Sequence, residues 1–206
     1  MNFVRILDGQ CGQKVQVGFY CDSRDNKQYT GTYLDDIKKA VLYPYNKSLN
    51  TYRCPASKAY VKGVGNKQVP HNRSYAISVW LNCNELPTGP KKTGQVKQPT
   101  KVAEFVDENQ ISIDNGALGI RGPGSSFDYW NLPSARHNNG CNLSFVDGHA
   151  ETWKWVGGNV VAHNNTYNAD DTVTQRPDPA TNPAFGLSST ANDPDWRRLT
   201  NAIPVN

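Results

Sequence analysis

Residues 141–155 read CNLSFVDGHAETWKW, and two runs of alternating side chains flank Asp147-Gly148. An Asp-Gly pair between two such runs predicts a β-hairpin with a two-residue type I′ turn, because both turn positions need positive φ. With this turn Phe145 faces Ala150 and Leu143 faces Thr152, which fixes the two faces of the ribbon. The predicted core face consists of Cys141, Leu143, Phe145, Ala150 and Thr152. The predicted outer face consists of Asn142, Ser144, Val146, His149, Glu151 and Trp153.

Further elements are predicted on either side of this hairpin. Apolar residues recur at helical spacing over 34–42, after a capping pair at Thr32 and Asp35, and Pro44 predicts the helix end near Leu42 or Tyr43. The runs SYAISVWLN (74–82) and KVAEFV (101–106) are rich in β-branched and aromatic residues and predict strands.

These elements predict an α+β fold, with an N-terminal helix packed on a small antiparallel β-sheet with long loops. Residues 157–206 are rich in Asn, Asp, Pro, Thr and Ser, which predicts an irregular C-terminal tail. We therefore expect one globular domain over 1–156 and a loop-rich extension over 157–206 packed on the same domain.

Composition and charge exclude several classes of protein. The chain has 206 residues, of which 37% are apolar and 19% charged, which argues against a coiled coil or a helical bundle. No apolar run approaches the roughly 18 residues of a membrane span. Residues 1–103 hold 16 Lys/Arg and 6 Asp/Glu, whereas residues 104–206 hold 6 and 12. The basic residues are scattered among loops without a recognition pattern, so nucleic acid is not a predicted partner.

The five cysteines stand at positions 11, 21, 54, 83 and 141, and none forms a CxxC pair. Without a Cys/His ligand spacing, the sequence does not predict zinc. One or two disulfides are expected, with the pairing left open and at least one thiol without an internal partner. Disulfides would indicate a protein that works outside the reducing cytosol.

Four segments together resemble a known family. They are YRCPAS (52–57), NRSYAISVWLN (72–82), PTKVAEFVDENQISIDNG (99–116) and LPSARHNNGCNLSFVDGHAETWKW (132–155). In this order they resemble bacterial prepilin-type proteins with an H-x9-DG motif, which are similar to type II secretion pseudopilins. The motif here is His137 followed by Asp147-Gly148. The resemblance covers about residues 40–155, with a weaker echo in DPDWRRL (193–199).

The resemblance implies a pilin-like fold and an exported bacterial protein, extracellular, periplasmic or on the cell surface. Its role would be that of a subunit in a secretion or surface filament, with other pilin-like subunits as partners and no required cofactor. Family members begin with a prepilin cleavage site and a hydrophobic anchor helix, and neither is found in this sequence. Contact with a membrane is therefore expected only through such a helix upstream, in a trimmed chain; the alternative is a free secreted domain.

A second hypothesis is an enzyme, a pilin-derived polysaccharide lyase that performs β-elimination on uronic-acid polysaccharides. Such a reaction needs a group that neutralises the carboxylate, a base and an acid. Arg136 or Asn139 would neutralise, His137 would abstract the proton, and Tyr129 would donate one or share the role of base. The basic first half of the chain would attract the acidic polysaccharide. The simpler interpretation is that His137 hydrogen-bonds the backbone beside a turn and Asp147 serves the hairpin turn.

Aromatic residues beside polar ones suggest contact with glycans, in either hypothesis or in a carbohydrate-binding module. Aromatic rings stack on sugar rings, and exposed Asn and Arg side chains can bond hydroxyl or carboxylate groups. The candidate binding residues are Trp130, Trp153, His149 and Glu151. The alternative is that the tryptophans are packing residues.

The acidic loop over 107–116 is the candidate metal site. Asp107, Glu108 and Asp114, together with Asn109 and Ser112, place oxygen donors at close spacing, and calcium prefers such ligands. The spacing does not match an EF-hand. The alternative is that these carboxylates are solvated turn residues.

Overall fold

The computed structural model describes residues 37–38, 42–62, 68–70, 73–81, 89–110, 112–113, 117–120, 128–167, 172–173 and 187–202. Within these ranges the strands are β1 (Tyr60–Lys62), β2 (Gln68–Pro70), β3 (Tyr75–Ser78), β4 (Ala103–Asp107), β5 (Ala117–Leu118), β6 (Asp128–Tyr129), β7 (Gly140–Phe145), β8 (Ala150–Lys154), β9 (Thr172–Val173) and β10 (Leu187–Ser188). The α-helices are α1 (Tyr43–Asn46), α2 (Asn159–Tyr167) and α3 (Pro194–Asn201). The α+β class is confirmed. A helix with the length and apolar character needed to cross a membrane does not occur in this part of the chain.

A five-stranded sheet in the order β5-β3-β4-β7-β8 forms the centre of the structure. The strands predicted over 74–82 and 101–106 are confirmed as β3 and β4, although both are shorter than predicted. The pairs β3–β4, β4–β7 and β7–β8 are antiparallel, as expected. Strand β5 pairs with β3 in parallel, so the sheet is mixed rather than purely antiparallel. Two small additional sheets have the orders β2-β1-β9 and β10-β6.

Successive side chains of a strand point to opposite faces of the sheet. In the central sheet, apolar residues occupy both faces. Ala76, Val106 and Leu143 belong to one buried cluster, and Ile77 and Val79 belong to the other. The first cluster also contains side chains from the C-terminal region, namely Val160, Trp196, Leu199 and Ala202. The second contains Ile37, Tyr52 and Leu81, with Leu42 and Tyr43 packed against it.

The predicted hairpin forms, but its register and turn differ from the prediction. Cys141 pairs with Trp153 and Leu143 with Glu151. The Gly148 amide donates to the Phe145 carbonyl, and the Phe145 amide donates to the His149 carbonyl. The loop therefore has three residues and ends in Gly148, whose φ is +93°, whereas Asp147 has no positive φ. This arrangement is a type I turn followed by a glycine bulge, not a type I′ turn.

The extra loop residue exchanges the faces of β8. Because the side-chain period of a strand is two, a shift of one residue moves every side chain to the other face. Trp153 joins the buried face with Cys141 and Leu143, while Ala150 and Thr152 are exposed. The predicted core positions of Ala150 and Thr152 are therefore wrong, as are the predicted outer positions of His149, Glu151 and Trp153. His149 and Glu151 share the face of Phe145 and Leu143 but stay accessible near the hairpin end.

The C-terminal region contains two helices where the sequence predicted an irregular tail. Helix α3 begins with Asp193, whose carboxylate accepts hydrogen bonds from the amides of Asp195 and Trp196. Pro194 then occupies the first turn, where a missing amide hydrogen costs nothing. The Ala202 carbonyl accepts from the Ala103 amide and so ties the end of this region to β4.

The predicted N-terminal helix is described only in part. Ile37 and Lys38 are helical, and Ile37 is buried against the sheet. Thr32, Asp35 and the rest of the predicted helix before Leu42 lie outside the described residues. Pro44 stands in the first turn of the separate helix α1, which suits its fixed φ.

Candidate functional site

Asp107, the last residue of β4, is the centre of a buried polar cluster. Its carboxylate is fully buried and forms an ion pair with Arg136 through Oδ1. Arg136 also donates to the Glu108 carbonyl at 2.6 Å and to Gln110 Oε1 at 3.0 Å. A buried carboxylate needs such a partner, because an unpaired charge in the interior costs several kcal/mol. Arg136 therefore neutralises a carboxylate of this chain.

His137 contacts the second oxygen of the same carboxylate. Its Nε2 lies 3.0 Å from Asp107 Oδ2, 3.4 Å from Cys54 Sγ and 3.1 Å from Asn142 Nδ2. The imidazole is 23% exposed, so only part of the ring reaches solvent. The His137 amide donates to the Gly140 carbonyl, which closes the turn into β7. The first residue of the H-x9-DG motif thus joins this turn to β4.

Two thiols lie beside this cluster. Cys54 and Cys141 are both fully buried and neither forms a disulfide; Cys11, Cys21 and Cys83 lie outside the described residues. The Cys141 thiol donates to the Asp107 carbonyl at 3.2 Å. Burial, followed by the charge of Asp107, raises the pKa of Cys141 far above its ordinary value, which keeps this sulfur protonated. The disulfides expected from the cysteine count do not involve either of these two residues.

The two predicted calcium ligands among the described residues, Asp107 and Glu108, face different partners. Asp107 faces Arg136 and His137, whereas Glu108 Oε2 lies 4.0 Å from Arg73 Nη1 and Glu108 Oε1 accepts from Ser112 Oγ. Both carboxylates are fully buried and each faces an arginine, so they are not solvated turn residues either. Asp114 lies outside the described residues. Adjacent residues of an extended chain point to opposite sides, which explains why Asp107 and Glu108 face different partners.

The residues of the lyase hypothesis are only partly brought together. Arg136 and His137 meet at Asp107, but Arg136 is engaged in the contacts above and its side chain is 9% exposed. The ring of Tyr129 is completely buried, and this burial raises the pKa of its hydroxyl group well above the ordinary value. Asn139 is exposed in the turn, where its carbonyl accepts from the Trp155 amide. A buried Tyr129 has no contact with solvent through which a polysaccharide would reach it.

The candidate glycan-binding residues differ in exposure, although His149, Glu151 and Trp153 lie next to one another. Trp130 is 38% exposed, whereas Trp153 is 5% exposed and contributes to the core. Glu151 accepts from Trp153 Nε1, and His149 lies between Asp147 and Glu151 at the hairpin end. The guanidinium of Arg198 covers the Trp153 ring at 3.8 Å from its centroid. Trp153 is thus a packing residue, as the alternative interpretation has it, while Trp130, His149 and Glu151 remain accessible.

Sequence reasoning missed two parts of this arrangement. The sequence identifies Cys54 only as a disulfide candidate, because it stands 83 residues from His137 and no local spacing links them. Asp195 was not singled out, yet its buried carboxylate accepts from the amides of Val156 and Gly157. The Asp193-Pro194 pair is a helix-start signal that would have located α3 and with it Asp195.

No protein-family model matches the chain, and neither the curated proteins nor the solved structures contain a significant match to it.

Proposed function

We propose that this chain is the globular domain of an exported pilin-like protein that acts as a subunit of a bacterial secretion or surface filament. The observation that carries the proposal is the burial of helical Ile37 in one apolar cluster with Ile77 of β3. An N-terminal helix on an antiparallel sheet is the arrangement that the resemblance of the four segments implies.

The conformation of the H-x9-DG motif supports a structural role rather than a catalytic one. His137 contacts Asp107 on the neighbouring strand, and Asp147-Gly148 closes the hairpin that pairs with it. Both ends of the motif therefore serve the same antiparallel ribbon. A subunit that assembles with copies or relatives needs such a fixed sheet and no exposed reactive group.

The test is the location and assembly of the protein in its native bacterium. We expect an antibody against the chain to detect it in filaments sheared from the cell surface or in the envelope fraction, together with other pilin-like subunits. In parallel, the gene region upstream of Met1 is sequenced, and we expect it to encode a prepilin cleavage site and a hydrophobic helix. Recovery with a cytosolic marker enzyme, or a cleavable signal peptide upstream, would contradict an assembly role.

Glycan contact is the second candidate, and the exposure of Trp130 favours it. Hyaluronan, chondroitin, alginate and pectate are the probes, because the basic half of the chain suits acidic polysaccharides. We expect affinity electrophoresis to show retardation by at least one of them, lost in Trp130→Ala and kept in Tyr45→Ala, which removes a different exposed aromatic ring. Ultraviolet absorbance from unsaturated uronides would indicate lyase activity in addition. Equal mobility in all four gels would exclude this candidate.

A further inference from the structure

Three side chains with metal-ligand chemistry converge at His137 Nε2. Cys54 Sγ lies 3.4 Å away and Asp107 Oδ2 lies 3.0 Å away, and the three ligand atoms all lie within 4.8 Å of one another. They come from three segments: the residues after the short 3₁₀ helix Leu49–Tyr52, the end of β4, and the turn before β7. Only the tertiary fold brings them to one point.

With the Asn142 amide as placed, hydrogen bonding does not satisfy all the groups around His137 Nε2. An imidazole nitrogen carries either one hydrogen or one lone pair. With a hydrogen, Nε2 donates to Asp107 Oδ2 but opposes the amide hydrogens of Asn142 Nδ2. With a lone pair, Nε2 accepts from Asn142 or from the Cys54 thiol but repels the carboxylate. In neither state does the nitrogen interact favourably with all its neighbours as they are placed.

A cation between the three ligand atoms would be bound by the thiolate, the imidazole and the carboxylate at once. In a tetrahedral zinc site, bonds of about 2.0–2.3 Å put ligand atoms about 3.3–3.6 Å apart. The Sγ–Nε2 separation lies within this range, and the Nε2–Oδ2 separation is short of it by a few tenths of an ångström. Thiolate, imidazole and carboxylate together form the ligand set of zinc and related transition metals, whereas calcium requires oxygen ligands. We propose that Cys54, Asp107 and His137 bind one Zn²⁺ or a similar divalent transition-metal ion.

The surroundings prepare these groups for a metal. Arg136 binds Asp107 Oδ1 and thereby orients Oδ2 towards His137 and Cys54. Such outer contacts fix the direction of a metal ligand. Binding of the ion displaces the thiol proton of Cys54 to solvent. The thiolate and the carboxylate then face the two positive charges of the ion and that of Arg136, which leaves the site with one net positive charge. The partly exposed His137 ring marks the side from which the ion enters, since Cys54 and Asp107 are fully buried.

The proposed site has the features of a structural metal-binding site. It fastens three distant segments to one another beside the central sheet, in a protein whose Cys54 and Cys141 form no disulfide. Asn142 stands at the fourth side, 3.1 Å from Nε2 through Nδ2. If its amide turns by 180°, Oδ1 becomes available as a fourth ligand, and Nδ2 donates to Thr152 Oγ1 in place of the bond that Oδ1 now accepts.

The experiment titrates the full chain, reduced and freed of metal by a chelator, with Co²⁺ and then with Zn²⁺. We expect one Co²⁺ per chain to give the near-ultraviolet charge-transfer band of a thiolate–cobalt bond, and one equivalent of Zn²⁺ to abolish it. Cys54→Ser should remove the band and weaken Co²⁺ binding by more than about 100-fold, because even changes outside the ligand set cost up to that factor. Cys141→Ser is the matched control, since it removes a neighbouring buried thiol outside the set, and it should keep the band.

A measurement on the unaltered chain covers the case in which Cys54→Ser does not fold. Addition of Zn²⁺ should shift the imidazole Nε2 resonance of His137, while His163, on α2, stays unchanged. An unshifted His137, a band that persists in folded Cys54→Ser, or a band lost in Cys141→Ser alone would each overturn the proposal. None of these outcomes bears on assembly into filaments, so this site and the proposed function fail separately.

Discussion

The rings of Phe145 and His149 stack face to face across the hairpin, with centroids 4.3 Å apart and planes 2° from parallel. This contact follows from the three-residue loop, which makes the two residues direct partners at the end of the ribbon. The same register brings Trp153 within 6.0 Å of Phe145. The local conformation at Gly148 therefore determines which face of β8, and with it the Trp153 ring, meets the core.

Gly148 is the residue on which this register depends. We expect Gly148→Ala to lower the free energy of unfolding by about 1–2 kcal/mol, because alanine is strained at positive φ. No atom lies within 4 Å of the added Cβ, so the effect is conformational rather than steric. Gly148→Asn should cost less, since asparagine tolerates this region. Urea unfolding measures both changes.

The control for this prediction is Gly94→Ala. An added Cβ at Gly94 also meets open space, and its φ is not positive. We expect this variant to be as stable as the unaltered chain or slightly more stable, because alanine reduces the entropy of the unfolded state. Equal stability of Gly148→Ala and Gly94→Ala would refute the three-residue loop.

His149 makes stability depend on pH. Its hydrogen bond with Asp147, followed by that with Glu151, raises the pKa of His149 above its ordinary value of 6.5. The contribution of His149 is therefore fully present below about pH 6.5 and is lost as the pH rises through the raised pKa. The pKa values of Asp147 and Glu151 are lowered, chiefly by hydrogen bonds from His149 and Trp153 respectively, so their contributions are lost on acidification.

Urea unfolding at a series of pH values between 4 and 9 tests this dependence. We expect His149→Gln to reduce the loss of stability between mildly acidic and alkaline pH, whereas His163→Gln leaves that loss unchanged. Nuclear magnetic resonance gives the pKa of His149 directly. A value at or below 6.5 would show that the two carboxylates do not hold the charged imidazole.

Arg136 should contribute far more to stability than an exposed arginine. Arg136→Met leaves the fully buried Asp107 carboxylate without its cationic partner, which costs about 3–5 kcal/mol. Arg198→Met removes an arginine that is 46% exposed and should cost up to about 1 kcal/mol. Chemical denaturation compares the two variants. Adding Asp107→Asn to Arg136→Met should restore part of the lost stability, and no recovery would argue against a buried charge as the cause.

Leu199 tests whether the C-terminal region is part of the core. Its side chain is 1% exposed in the cluster that covers one face of the sheet. Leu199→Ala should therefore destabilise the protein by about 2–5 kcal/mol. Arg197→Ala, at an exposed position of the same helix, should change stability by less than about 0.5 kcal/mol. Similar effects of both variants would place α3 outside the core.

Much of the sheet could be predicted from short stretches of sequence. Strands β3 and β4 follow from their β-branched and aromatic residues, and the alternation on both sides of Asp147-Gly148 predicts the hairpin. These signals are local, because a strand or a turn reflects the preferences of a few adjacent residues. The turn type was not predictable from this pair alone, since Asp-Gly suits both a two-residue and a three-residue loop.

Helix α2 shows the opposite case. Its sequence, NVVAHNNTY, is polar and poor in strong helix formers, yet it is helical with Val160 buried against the core. In such a helix, packing on the sheet contributes more to the stability of the helix than the intrinsic helix propensity of its residues does. Helix α3 was missed for another reason: the loop-like composition of its surroundings concealed the Asp193-Pro194 start signal.

The α+β class, strands β3 and β4 and the existence of the hairpin thus depend on neighbouring residues, and the amino-acid sequence was sufficient for them. The convergence of Cys54, Asp107 and His137 depends on the tertiary structure, since at least 30 residues separate any two of them. The physical reason is that no local preference acts between such distant positions. Burial of both sheet faces brings their segments together, and the charge of Asp107 then selects Arg136 and His137 as its partners.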